Sequence, residues 1–171
     1  MYSKKHLKAM IIMALLVGLA LSIHVAEAQI PLLFPGVKLG LANIITLVAL
    51  RLYGWKEALT VTLLRIGLSA FFSGNMIAFL CSFTGGVLSC LLMIELDRHF
   101  KDSITLPYLS IAGAVTHNIG QLLVIIALIQ NFYVIFYLPV LILSGAITGY
   151  STGFLASLLS ERLKRVPQMR L

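Results

Sequence analysis

Long apolar stretches, interrupted only by short charged or proline-containing ones, run along the whole of this 171-residue chain. Charged residues make up 11% of the sequence and hydrophobic residues 60%, whereas about a quarter of a typical soluble domain is charged. A chain this apolar is neither a typical soluble domain nor disordered, so we expect it to be embedded in a membrane. At roughly 25–30 residues for each helix and its connection, residues 1–171 form one integral membrane domain.

Hydropathy and turn residues divide the chain into six candidate spans. They are predicted at residues 9–25, 37–52, 58–72, 76–94, 108–129 and 134–159. The sequence therefore predicts an all-α membrane protein, a bundle of six transmembrane helices. An irregular segment with Pro31 and Pro35 precedes the second span, which is short for a full crossing.

The positive charges predict the orientation of this bundle. With the N-terminus in the cytoplasm, every lysine and arginine except Lys38 and Arg65 falls on the cytoplasmic side, as the positive-inside rule requires. Both termini are therefore predicted to be cytoplasmic. This topology explains the formal net charge of +7 without nucleic acid, and acidic membrane lipids are the expected partners of the basic loops.

Arg65 is predicted to lie in the middle of the third span. A charge at that depth costs several kcal/mol unless it is paired or faces water, so such residues are candidates for functional sites. We interpret Arg65 as a substrate-binding residue. A structural ion pair, or a guanidinium that reaches the inner headgroups, is the alternative.

A second polar group lies in the fifth span. His117 and Gln121 are four residues apart and share one helix face, with Asn118 beside them. Polar side chains concentrated in two turns of a membrane helix are not expected to face lipid. They either bind a polar ligand or form hydrogen bonds between helices.

The connection between the first two spans carries a third group. Lys38 and Asn43 lie near the start of the short second span, where a helix N-terminus attracts anions. With His24 and Glu27 they are candidates to line or cover a pocket that opens outward. A simple loop with an interfacial lysine is the alternative.

Small residues recur every four positions in the first span, at Ala14, Gly18 and Ser22. This ridge allows another helix to pack closely. The neighbouring helix belongs either to the same bundle or to a partner membrane subunit.

Several catalytic patterns do not occur in the sequence. It has no phosphate-binding loop of the ATPase type and no metal-ligand cluster, and Asp97 and Asp102 are its two aspartates. An aspartate-rich pair that could hold magnesium and a diphosphate is therefore missing. We expect a protein that is not an enzyme by itself and that needs no metal or cofactor.

Two segments, PGVKLGLANI at residues 35–44 and VTHNIGQL at residues 115–122, carry a resemblance that extends over essentially the whole chain. The sequence resembles the bacterial Gx transporter family, also labelled heptaprenyl diphosphate synthase component I. The six-helix layout of that family is similar to the substrate-binding S components of energy-coupling factor transporters. The resemblance implies a subunit of the bacterial cytoplasmic membrane that captures a small vitamin- or isoprenoid-related molecule.

In such a transporter, a coupling transmembrane subunit and two ATPases energise uptake, and the ridge on the first span resembles the surface that contacts the coupling subunit. Arg65 and Lys38 suggest an anionic or diphosphate-like group on the substrate. An accessory membrane component of heptaprenyl diphosphate or quinone synthesis is the alternative function. A small structural membrane protein is the third.

Overall fold

The computed structural model describes residues 4–29, 39–100 and 103–166. In these ranges the α-helices are α1 (Lys4–Ala28), α2 (Leu41–Leu52), α3 (Trp55–Ser73), α4 (Met76–Phe100), α5 (Leu106–Ile129) and α6 (Leu138–Lys164). A 3₁₀ helix, Phe132–Tyr137, precedes α6. This part of the chain contains no strand, so the predicted all-α fold is confirmed.

Within the described residues, four segments are long and apolar enough to cross a membrane. They are Leu7–Glu27, Met76–Phe100, Leu106–Ile129 and Phe132–Lys164, and they indicate a multi-pass membrane protein. With 12 residues, α2 is about 18 Å long against a hydrocarbon core of about 30 Å. The remaining helix, α3, carries three charged residues among its 19.

Two helices begin later than the sequence predicted. The second span was predicted from residue 37, but Leu39 and Gly40 are not helical and α2 starts at Leu41. Gly40 has a left-handed backbone (φ 72°), which interrupts a right-handed helix there. The sixth span was predicted from residue 134, which lies inside the 3₁₀ helix, and α6 starts at Leu138 with a proline in its first turn.

The six helices form a closed ring. Going round it, α1 contacts α3, α3 contacts α4, α4 contacts α5, α5 contacts α6, α6 contacts α2, and α2 contacts α1; α2 and α3 also contact each other. Buried apolar side chains fill the half of the ring nearer the N-terminus of α1 and the C-terminus of α6 (the apolar half), including Ile45, Val48, Val61, Met93 and Leu109. The other half of the ring interior is lined by polar residues.

Glycines allow α5 to approach both of its neighbours closely. Gly149 of α6 lies so near α5 that a Cβ atom there would stand 2.8 Å from Cα of Ile111. A Cβ atom added to Gly120 of α5 would likewise stand 2.8 Å from Cα of Gly85 in α4. These contacts hold the backbones of three helices together without large side chains between them.

Charged side chains tie several helix ends together beside the apolar half. The Arg51 guanidinium, at the end of α2, lies 3.3 Å from the Asp97 carboxylate of α4 and donates a hydrogen bond to the Ile104 carbonyl at 3.2 Å. Arg98 lies over the Trp55 ring, 4.8 Å from its centroid. Basic side chains with an aromatic residue are typical of a membrane–water interface.

Candidate functional site

A polar cavity occupies the half of the ring interior that the apolar core leaves open. All six helices contribute to its lining, which consists of His24, Glu27, Leu39, Gly40, Ala42, Asn43, Thr62, Arg65, Ser82, Gly86, Ser89, Ala114, His117, Asn118, Thr148 and Thr152. Its volume is about 60 Å³, well below the roughly 300–1,000 Å³ of typical small-molecule sites, so only a compact ligand suits it and the cavity has to widen to take one.

Arg65 is the cation of this cavity. Its side chain projects from the middle of α3, the residue is 7% exposed, and its Nη1 atom lies 3.4 Å from Nδ1 of His24. Its Nε atom is buried without a hydrogen-bond partner, and no carboxylate of the described residues lies within 4 Å of the guanidinium. Glu27 attracts Arg65 electrostatically but, in this part of the chain, forms no salt bridge with it within 4 Å.

Glu27 is the anion of the cavity, and the start of α2 holds it. Its carboxylate oxygens accept hydrogen bonds from the backbone N–H groups of Gly40 at 2.6 Å and Leu41 at 3.0 Å. The first N–H groups of a helix have no partner within the helix and favour negative charge. The helix start that the sequence predicted to attract anions therefore already binds a carboxylate of the same chain.

Some polar residues of α5 line the cavity and others contact neighbouring helices. His117 and Asn118 line the cavity, and Asn118 also donates a hydrogen bond from Nδ2 to the Leu141 carbonyl of α6 at 2.8 Å. Gln121 is buried but does not line the cavity, and its Cγ atom packs against Gly85 of α4. Ligand lining and helix contact were alternatives from the sequence, and Asn118 combines both.

Of the predicted binding residues, the structure brings together Asn43, Arg65, His117 and Asn118 around one cavity. Asn43 enters it from the first turn of α2, as the sequence suggested. Lys38 lies outside the described residues.

Hydroxyl groups form a part of the lining that sequence reasoning missed. They belong to Thr62, Ser82, Ser89, Thr148 and Thr152. Ser82 and Ser89 are seven residues apart and Thr148 and Thr152 four apart, so each pair lies on one helix face. That spacing was the available signal, although serine and threonine are common in membrane helices because they bond to their own backbone.

The ridge on α1 faces away from the other helices. Ala14, Gly18 and Ser22 are all exposed, and a Cβ atom added to Gly18 would meet nothing within 4 Å. Among the described residues the ridge therefore packs against no helix, so internal packing does not explain it.

Comparison with known proteins identifies a family. The family model described as heptaprenyl diphosphate synthase component I matches residues 16–159, a range that includes every residue lining the cavity. No curated protein and no solved structure matches the chain significantly. Because the match extends from the middle of α1 to near the end of α6, the chain belongs to the heptaprenyl diphosphate synthase component I family.

Proposed function

We propose that this protein is a membrane subunit that captures a small anionic molecule in the cavity between its helices. The observation that carries the proposal is Arg65, a buried cation with an unpartnered Nε atom in a cavity lined by all six helices. Glu27 lines the same cavity and attracts Arg65 electrostatically, but no carboxylate of the described residues reaches the guanidinium, and intramembrane charges ordinarily face a partner or a water-filled path. An anion bound in the cavity supplies that partner.

The orientation that we propose is six spans with both termini in the cytoplasm of a bacterial cell. Arg51, Lys56 and Arg98 lie at helix ends beside the apolar half, as do Arg162 and Lys164 at the end of α6. Assigning this basic end to the cytoplasm puts the polar cavity in the outer half of the membrane. The ligand then enters from outside, past the end of α1 and the start of α2.

Transport requires a second step, release of the ligand toward the cytoplasm. We propose that a coupling transmembrane subunit and two ATPases supply the energy, as in energy-coupling factor transporters, so that this chain is not itself the enzyme. The exposed ridge of Ala14, Gly18 and Ser22 supports a helix of the coupling subunit as the neighbour of α1. No metal or cofactor is needed for capture by this mechanism.

The family description favours a second candidate function, a membrane component of heptaprenyl diphosphate synthesis. In that case a partner component of the synthase performs the chemistry and this chain holds it at the membrane. The basic end of the bundle, with Arg51, Lys56 and Arg98, is then the surface that faces the partner.

Native mass spectrometry of the protein purified in mild detergent tests both candidates. We expect a small-molecule adduct on the wild type and on Arg98→Gln, which removes a positive charge at a helix end, and none on Arg65→Gln. Copurified ATPases favour the transporter, whereas a copurified prenyl synthase favours the second function. The absence of any adduct from the wild type, or equal adducts on all three proteins, contradicts the capture of an anion at Arg65.

A further inference from the structure

The charges of the cavity limit how much negative charge a ligand can bring. Among the described lining residues, Arg65 and Glu27 are the charged groups, and the start of α2 already engages both oxygens of Glu27. One guanidinium thus remains for the ligand. A carboxylate matches it with a single negative charge, whereas a diphosphate carries several and would face the Glu27 carboxylate with Arg65 as the permanently charged cation among the described lining residues.

The hydrogen bonds of Arg65 indicate which edge of its guanidinium is available. Nη1 is directed to His24, while Nε is buried without a hydrogen-bond partner in the described part of the chain. The N–H groups on Nε and Nη2 point in parallel along one edge of the guanidinium. Such an edge binds both oxygens of a carboxylate at once.

The walls of the cavity indicate how polar the rest of the ligand, beyond its anionic group, must be. In the described residues the apolar lining consists of Leu39, Ala42 and Ala114 together with glycines, and it includes no phenylalanine, tyrosine or tryptophan. Ser82 and Ser89, which are 7% and 3% exposed, contribute hydroxyl groups to the same lining. A prenyl chain against these walls would leave buried hydroxyls without partners, which is unfavourable.

We propose that the cavity binds a compact, hydrophilic monocarboxylate. Its carboxylate lies on the Nε–Nη2 edge of Arg65, and its hydroxyl or amide groups pair with Ser82 and Ser89. This inference rests on the proposed function, capture of an anion at Arg65, and narrows the class of anion. It separates the ligand from prenyl diphosphates, whose chain and charge both fit this lining poorly.

Isothermal titration of the purified protein with four probes tests the inference. Gluconate is a hydroxylated monocarboxylate, hexanoate has the same charge and chain length without hydroxyls, glucitol is the neutral polyol, and geranyl diphosphate is a short prenyl diphosphate. We expect gluconate to bind more tightly than the other three. Arg65→Gln should weaken gluconate binding by about tenfold to a hundredfold, and Arg98→Gln should leave it unchanged.

The double variant Ser82→Ala/Ser89→Ala examines the hydroxyl groups that α4 contributes to the cavity wall. Since each change removes a single hydroxyl group and alanine favours a helix, the variant should fold, as judged by gel filtration and by the fluorescence of Trp55. It should weaken gluconate binding to the level of hexanoate and leave hexanoate binding unchanged.

Three results would overturn the inference. Tighter binding of geranyl diphosphate than of gluconate, with loss in Arg65→Gln, refutes the ligand class but leaves anion capture at Arg65 intact. Equal affinity for hexanoate and gluconate refutes the inference that hydroxyl groups of the ligand contribute to binding. If no anion binds in a manner that depends on Arg65, both the inference and the proposed function fail.

Discussion

Two glycines on ridges of small residues give a matched test of how the bundle packs. Gly149 of α6 faces the backbone of α5, where an added Cβ atom would stand 2.8 Å from Cα of Ile111 and 3.0 Å from the carbonyl oxygen of Ser110. Gly18 of α1 has nothing within 4 Å of the same position. Replacing each glycine with alanine therefore adds the same methyl group to two opposite environments.

The structure gives the size of the effect at each position. Ordinary contacts begin at 3.4 Å, so the 2.8 Å approach at Gly149 requires α5 and α6 to separate locally by at least 0.6 Å. Neither neighbour can rotate away, because both atoms belong to the backbone. Overpacking of this kind costs about 1–3 kcal/mol, and separation also strains the hydrogen bond between Ser110 and Thr152, at 3.0 Å. At Gly18, alanine removes the helix penalty of glycine, about 1 kcal/mol.

Thermal unfolding in one detergent measures the difference, with the fluorescence of Trp55, the single tryptophan, as the signal. We expect the Tm of Gly149→Ala to fall by several degrees and that of Gly18→Ala to stay level or rise. Equal Tm values for the two variants would refute the argument, since they would mean that α5 and α6 are not in backbone contact. A large loss in Gly18→Ala would mean that α1 packs through its ridge within the bundle.

Six further substitutions test other contacts. Glu27→Ala should lower the free energy of unfolding by about 2–3 kcal/mol, because two N–H groups at the start of α2 lose a charged acceptor, and Glu27→Gln should lower it less; both are measured by thermal unfolding. Asn118→Ala should cost about 1 kcal/mol in the same assay through loss of one interhelical hydrogen bond. Arg51→Ala should destabilise more than Asp97→Ala, since Arg51 also bonds a carbonyl, with each change within about 1–2 kcal/mol. Gly18→Leu should leave the Tm unchanged and reduce the amount of coupling subunit that copurifies.

Local patterns in the sequence were sufficient to find Arg65. A single charge inside an apolar run stands out without any knowledge of the fold, and so do the polar residues around His117. The role of Glu27 could not be predicted in the same way. Its carboxylate meets backbone groups 13 and 14 residues further along the chain, and that pairing depends on how α1 and α2 are placed relative to each other.

Spacing alone also could not say where a ridge of small residues points. The same four-residue repeat occurs at Gly145, Gly149 and Gly153 of α6, which sequence reasoning did not single out, and at Gly18 and its neighbours in α1. The α6 ridge is buried against α5, while the α1 ridge is exposed. Which of two equivalent ridges is internal depends on the order of helices around the ring, and a linear pattern does not contain that order.

The division of the ring into a polar and an apolar half separates the two candidate functions by experiment. Among the described residues, the buried side chains of Ile45, Met93 and Leu109 pack in the apolar half and do not line the cavity. A capture subunit must be sensitive to changes in the cavity, whereas a membrane component of a synthase acts through the basic end. Arg65→Gln should therefore abolish uptake but leave association with a prenyl synthase intact. Lys56→Glu should abolish association with the synthase but leave uptake intact. If Arg65→Gln impairs association with the synthase and leaves uptake unchanged, the cavity does not serve transport and the second function is favoured.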